Sequence, residues 1–148
     1  SYEFDVNFNN IESLISNSDY CLSKDQTIHS LAFDEAACSI ASSGTLYPDH
    51  VVFLGAGPMT VLNIKEFTKY LNGDYAGRED DKKNVLIVRN LGVFMLKSLG
   101  EIEKSMLHCL SNVLLRTQPS DELRYLSVEE ETDLIGWEAE KYRKSIQR

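Results

Sequence analysis

The sequence predicts an α/β domain: a mixed β-sheet with a central β-hairpin and helices packed on it. Three observations carry this expectation. Val85-Leu86-Ile87-Val88 and Val93-Phe94-Met95-Leu96 are short β-branched and aromatic runs on either side of Asn90-Leu91-Gly92, the pattern of two strands around a tight turn. Segments with apolar residues at helical spacing flank that pair in the sequence. At 148 residues, 43% hydrophobic and 26% charged, the chain has the balance and length of one domain that can bury a core.

Residues 1–26 form a polar N-terminal segment, rich in Asn and Ser, with a short helix at Ile11–Ile15; residues 27–148 form the domain proper. Ile28 to Ile40 reads as one helix, ended by Ser43-Gly44. Tyr47-Pro48-Asp49-His50 is a turn that feeds a buried strand, Val51-Val52-Phe53-Leu54, which Gly55-Ala56-Gly57-Pro58 breaks. Met59-Thr60-Val61-Leu62 is a second strand. Ile64 to Leu71 presents apolar residues at 64, 67, 70 and 71, a helical face stopped by Asn72-Gly73-Asp74. The charged stretch from Asp74 to Asn84 is a solvated loop leading into the hairpin. Ser98 and Glu101 have capping-box spacing. The helix behind them carries Ile102, Met106, Cys109, Leu110, Val113 and Leu114 on one face and ends near Arg116, before Pro119. Ser127 and Glu130 repeat the capping signal, and the last helix turns Leu134, Trp137 and Tyr142 toward a partner surface. Phe53, Ile87 and Leu110 are core positions on these apolar faces.

Charge narrows the function classes. A net charge of −8 and a pI near 4.8 give a surface that repels phosphate backbones and anionic lipid, which argues against nucleic-acid and membrane partners. No apolar run approaches the roughly 20 residues of a membrane helix. The opening Ser1-Tyr2-Glu3-Phe4-Asp5 has neither the basic nor the apolar stretch of a signal peptide, and without an initiator Met the chain reads as part of something longer. Cys21, Cys38 and Cys109 are odd in number, widely spaced and form no CxxC pair. Cys38 and Cys109 sit among apolar residues as small core side chains, and a reducing, cytoplasmic location follows.

Candidate chemistry is sparse. Gly55-Ala56-Gly57 after a strand has the start of a dinucleotide loop, but position 60 is Thr and Pro58 leads into an extended run, so a plain turn is the better reading. His29, His50 and His108 are too far apart to chelate from one strand or helix turn. His50 reads as a turn residue and His108 as a surface residue on a polar helix flank. No GxSxG is present, so a nucleophile elbow is not offered. Asp80-Asp81-Lys82-Lys83 is a solvated charge run, and Glu129-Glu130-Glu131 complements a helix dipole.

The stretch from Val85 to Met95, followed by Ser98-Leu99-Gly100-Glu101-Ile102-Glu103, resembles the class II aldolase/adducin family. In that family a strand ends in Asn-His-Gly, a second strand follows, and a helix opens on a similar capping sequence. The histidine of that motif is a zinc ligand in the active aldolases; here the position is Leu91, which cannot ligate a metal. Leu46-Tyr47-Pro48-Asp49-His50-Val51-Val52-Phe53-Leu54-Gly55 and Tyr125-Leu126-Ser127 through Trp137 to Arg143 resemble the C-terminal region of longer members related to rhamnulose-phosphate aldolases.

The resemblance implies a class II aldolase-like fold and a C-terminal domain of a sugar-phosphate aldolase or lyase. The family's His-x-His pair occurs nowhere in the 148 residues, so this domain has no zinc site and no catalytic residues of its own. Zinc, the Lewis acid that stabilises an enediolate in such enzymes, belongs to an upstream region. The expected partners are an upstream catalytic half or identical chains in a homo-oligomer. Two alternatives stand beside this reading: a non-catalytic adducin-like interaction or oligomerisation module, and a small-molecule-binding domain using the turn at Gly55 and Gly57.

Overall fold

The computed structural model describes residues 8–44, 59–73, 82–117, 125 and 127–136. The turn at His50, the strand at 51–54 with Phe53, the Gly55–Gly57 turn, most of the charged loop, Trp137 and Tyr142 lie outside the described residues.

Four described strands form one mixed sheet: β1 (Tyr20–Leu22), β2 (Thr60–Leu62), β3 (Val85–Val88) and β4 (Gly92–Leu96), in the order β1-β4-β3-β2. The expected hairpin is its centre. β3 and β4 pair antiparallel from Val85 opposite Met95 to Val88 opposite Gly92, which leaves Arg89-Asn90-Leu91 as the turn. Asn90 takes the positive φ of 62° that this reversal demands, and Asn tolerates it better than most residues. β2 runs parallel to β3, and the helix at Ile64–Leu71 (α4) lies between the two in sequence, so β2-α4-β3 is a crossover unit.

Alternate residues of a strand point to opposite faces. Val85, Ile87, Val93 and Met95 enter one core cluster, while Leu86, Val88 and Phe94 enter a second. All four residues of β3 are buried. An unbroken apolar run is what a strand covered on both faces requires. The first face is covered by α2 (Gln26–Ser30), a 3-10 turn (Leu31–Phe33), α3 (Glu35–Ser43) and α5 (Glu101–Arg116). The second is covered by α1 (Phe8–Ser16) and α4, where Phe67 meets Phe94 with ring centroids 4.6 Å apart. A further helix, α6, spans 128–136.

α4 has the expected bounds, and its capping box is Asn63 with Glu66. The Ser127–Glu130 box also forms, each side chain accepting from the other's backbone N–H at 3.1 and 3.2 Å. Three expectations need correction. The single helix from Ile28 to Ile40 is broken at Asp34, whose extended backbone and side-chain bond to the Ala37 N–H start a new helix. The helical period ran through the break, but an acidic cap in its middle ends one helix and starts another.

The Ser98–Glu101 capping box does not form. The N-cap of α5 is Gly100, with no side-chain cap bond, and Glu101 pairs with Lys104 at 3.3 Å instead.

The third correction is the face of α5. Its buried stripe is Leu107, Leu110, Ser111 and Leu114, spaced i, i+3, i+4, i+7. Ile102 is 61% and Val113 40% exposed, and Cys109 is exposed rather than in the core. Buried Ser111 misled the reading, since its hydroxyl is satisfied locally by the Leu107 carbonyl at 2.7 Å and tolerates burial. Cys38 is buried as expected, donating from Sγ to the Leu31 carbonyl at 3.1 Å, and burial pushes its thiol pKa up. β1 was not anticipated. It pairs with β4 antiparallel, and its Tyr20 hydroxyl donates to the Lys83 carbonyl at 2.6 Å and lies 2.8 Å from the Tyr70 hydroxyl.

Ile87 and Leu110 are core residues as expected. Leu110→Ala should cost about 2–5 kcal/mol, the range for a fully buried leucine. Ile102→Ala should stay within about 0.5 kcal/mol. Urea unfolding of both variants checks this, and equal losses at the two positions would refute the observed register of α5.

Candidate functional site

Asp25 opens α2. One carboxylate oxygen, Oδ1, accepts the backbone N–H of Thr27 at 2.9 Å and of Ile28 at 3.1 Å, the bonds of an N-cap. The other oxygen, Oδ2, lies 2.7 Å from Nδ1 of His108 on α5. Burial alone would raise the Asp25 pKa. The Ile28 N–H, the bond and charge of His108 and the Thr27 N–H outweigh it and hold the carboxyl below its ordinary range.

An ionised carboxylate can only accept, so Nδ1 of His108 must carry a proton. In the neutral imidazole Nε2 is then the basic nitrogen, and it makes no hydrogen bond among the described residues.

The pair borders a half-open cleft of about 710 Å³, within the roughly 300–1,000 Å³ typical of small-molecule sites. Ile28 and Met95 supply buried apolar surface, and Lys24, Lys104, Ser105 and Glu101 supply polar groups. Cys21 and Cys109 also border it. Of the α5 residues that line the cleft, 101, 104, 105 and 108 form a stripe at i, i+3, i+4, i+7 beside the buried one. His108, expected as a plain surface residue, is a partly buried member of this stripe.

The hairpin turn is a second place of interest. Leu91 sits in it and packs against the cluster of Tyr20, Phe67, Leu86, Val88 and Phe94. Its N–H donates to the Val88 carbonyl at 3.0 Å, and the neighbouring Asn90 N–H donates to Ala32 at 2.9 Å. A side chain at Gly92 would come within 2.8 Å of the His29 ring and 2.7 Å of Leu22, so glycine lets both lie against the strand end. His29 also meets Phe33 at 5.2 Å between ring centroids. Two buried nitrogens near this turn, His29 Nδ1 and Arg89 Nε, have no hydrogen-bond partner among the described residues; Glu35 approaches Arg89 Nε at 3.6 Å.

The sequence-based expectations meet the structure unevenly. Leu91 is at the turn and partly covered. His29 is beside that turn, whereas His108 faces the cleft on α5. Gly55, Gly57 and His50 lie outside the described residues. No three His, Cys, Asp or Glu side chains among the described residues are placed to hold a metal ion. No helix among them is long and apolar enough to cross a membrane. Asp25 was missed as a site residue, although Asp25-Gln26-Thr27-Ile28 is an N-cap signal. Its link to His108, 83 positions away, leaves no local trace.

Neither a protein-family model nor a curated protein sequence matches the chain. Among solved structures, it is similar to YgbL from Klebsiella pneumoniae, a protein provisionally assigned as an aldolase/epimerase/decarboxylase. The TM-score is 0.54 at 13% identity, over 86% of this chain and 64% of that one. The likeness is one of fold. This chain spans less than two thirds of its structural neighbour.

Asp25 gives a pH-dependent expectation. A carboxyl whose folded pKa lies below its unfolded value stabilises the fold above the unfolded pKa, and the contribution is lost as pH falls through the folded one. Asp25→Ala should destabilise by about 0.5–2 kcal/mol at neutral pH through loss of the cap, and Asp25→Asn, which can still cap, by less. The gap between wild type and Asp25→Asn should close on acidification below the ordinary carboxylate value of 3.8. Thermal unfolding across that range is the check, and a gap that widens in acid would contradict the sign.

Proposed function

We propose that the chain is a class II aldolase-like unit, the C-terminal domain of a protein of the sugar-phosphate aldolase or lyase class, without a zinc site of its own. The observation that carries this reading is Leu91. The resemblance puts a zinc-binding histidine at this point of the hairpin turn, and here a hydrocarbon side chain packs on an apolar cluster. Zinc needs nitrogen, oxygen or sulfur donors, so the residue present does not fit the metal. Similarity of fold to an aldolase/epimerase/decarboxylase candidate supports the general class. On this reading the domain buttresses a catalytic half or builds an oligomer, and the reaction's metal chemistry belongs elsewhere in the parent protein.

A non-catalytic, adducin-like role has one observation in its favour. Leu22 and Phe33 are 46% and 55% exposed and both lie close to His29, an apolar strip of the kind that partners cover.

The test of the proposed reading is metal titration. Leu91→His should bind zinc no better than the parent in a calorimetric titration, because one imidazole holds the ion weakly. Micromolar or tighter binding gained by that one substitution would mean that further ligands are in place, and would overturn the reading. For the non-catalytic alternative, Phe33→Glu should shift any self-association toward monomer in sedimentation velocity. An unchanged distribution would remove that strip from consideration as a self-association surface.

A further inference from the structure

We propose that the cleft between α2 and α5 is a binding site for a small oxyanion-bearing molecule, a carboxylate or a phosphate, with His108 as its acid–base group. The proposal is independent of the zinc argument, since it uses neither Leu91 nor the hairpin turn. It rests on three features that converge in one place.

The first is orientation. Asp25 is fixed by two backbone N–H bonds, and its remaining oxygen fixes the imidazole through Nδ1. A carboxylate that locks one ring nitrogen as a donor leaves the other as a base of defined position, the arrangement by which histidines are prepared for proton transfer. The second is vacancy of function. Nε2 has no hydrogen bond among the described residues, and the side chain is 43% exposed, so a ligand can reach it.

The third is charge. Asp25 and Glu101 are the anionic groups at the cleft, and Lys24 and Lys104 the cationic ones. Asp25 is engaged by His108. Among the described residues Glu101 pairs with Lys104, in a solvent-exposed pair of the kind that is worth little and exchanges readily. Lys24 has no ion pair among the described residues. An incoming oxyanion pairs with Lys24, and a proton shared between the ligand oxygen and Nε2 completes the contact with His108. The half-exposed side chain of Leu22, which also lines the cleft, would take the apolar part of the ligand.

The experiment follows the His108 imidazole by ¹⁵N-detected NMR in the whole chain. Without ligand, the neutral ring should be the Nδ1–H tautomer. Inorganic phosphate and acetate are then titrated separately at constant ionic strength, with chloride as the control. A saturable shift of the His108 signals with phosphate alone assigns the site to phosphate-bearing ligands, and saturation with acetate extends it to carboxylates. Lys24→Gln should weaken the response roughly two- to fivefold, the size of one exposed charge contact. His29 serves as an internal reference and should not respond. Non-saturating drift with both probes, a response that Lys24→Gln leaves unchanged, or a neutral Nε2–H tautomer would overturn the proposal. Because the readout is on the parent fold and on a surface lysine, a failure to fold does not enter the outcome.

Discussion

Burial of the β3–β4 hairpin on both of its faces is the constraint on which the other elements depend. A two-stranded ribbon with Val85, Ile87, Val93 and Met95 on one side and Leu86, Val88 and Phe94 on the other cannot stand alone in water. Each face needs a cover. The longer helix α5, with α2 and α3, closes one, while α4 and α1 close the other. Edges need partners as well, and β2 and β1 provide them. Tyr20 does this at two levels: it extends the sheet through its backbone and ties α4 to the strand ends through its hydroxyl.

The same constraint fixes the chemistry available at the turn. Arg89-Asn90-Leu91 leaves the sheet at the point where the 3-10 turn approaches it, and the Asn90 N–H binds that turn's Ala32 carbonyl. A side chain at position 91 is thereby set beside the second core cluster. Leucine there extends the apolar core, where histidine would bring a polar ring that needs partners. The polar groups nearby, His29 and Arg89, each keep a buried nitrogen without a hydrogen bond among the described residues, although Glu35 stands 3.6 Å from that of Arg89.

What the sequence made legible follows from how local each signal is. The hairpin, α4, the end of α5 near Arg116 and the Ser127–Glu130 box are written in consecutive residues, and each appears where its pattern put it. β1 is three residues in a polar stretch, and its burial depends on pairing with Leu96, Met95 and Phe94 far along the chain. The break at Asp34 was hidden because the residues on both sides keep a helical period. On α5, Ile102, Cys109 and Val113 looked like core by type, yet the tertiary packing chose the stripe that passes through Ser111.

That choice of stripe also made the cleft. Had Ile102, Met106, Cys109 and Val113 faced the core, His108 would have stood on the far flank, as its surroundings in the sequence suggest. Turning the helix so that Leu107, Leu110, Ser111 and Leu114 are buried carries 101, 104, 105 and 108 to the side facing the start of α2. There the cap of one helix and the flank of another share a single carboxylate. An N-cap oxygen is normally half used, since one lone-pair direction serves the helix and the rest faces water. In Asp25 the second oxygen is spent on His108, so the strength of the cap and the orientation of the imidazole are set by one group. Substitutions at Asp25 therefore act on both at once, whereas substitutions at His108 leave the cap in place. This asymmetry separates the structural use of the pair from its chemical use: a role confined to stability would follow Asp25, and a role in binding or proton transfer would follow His108.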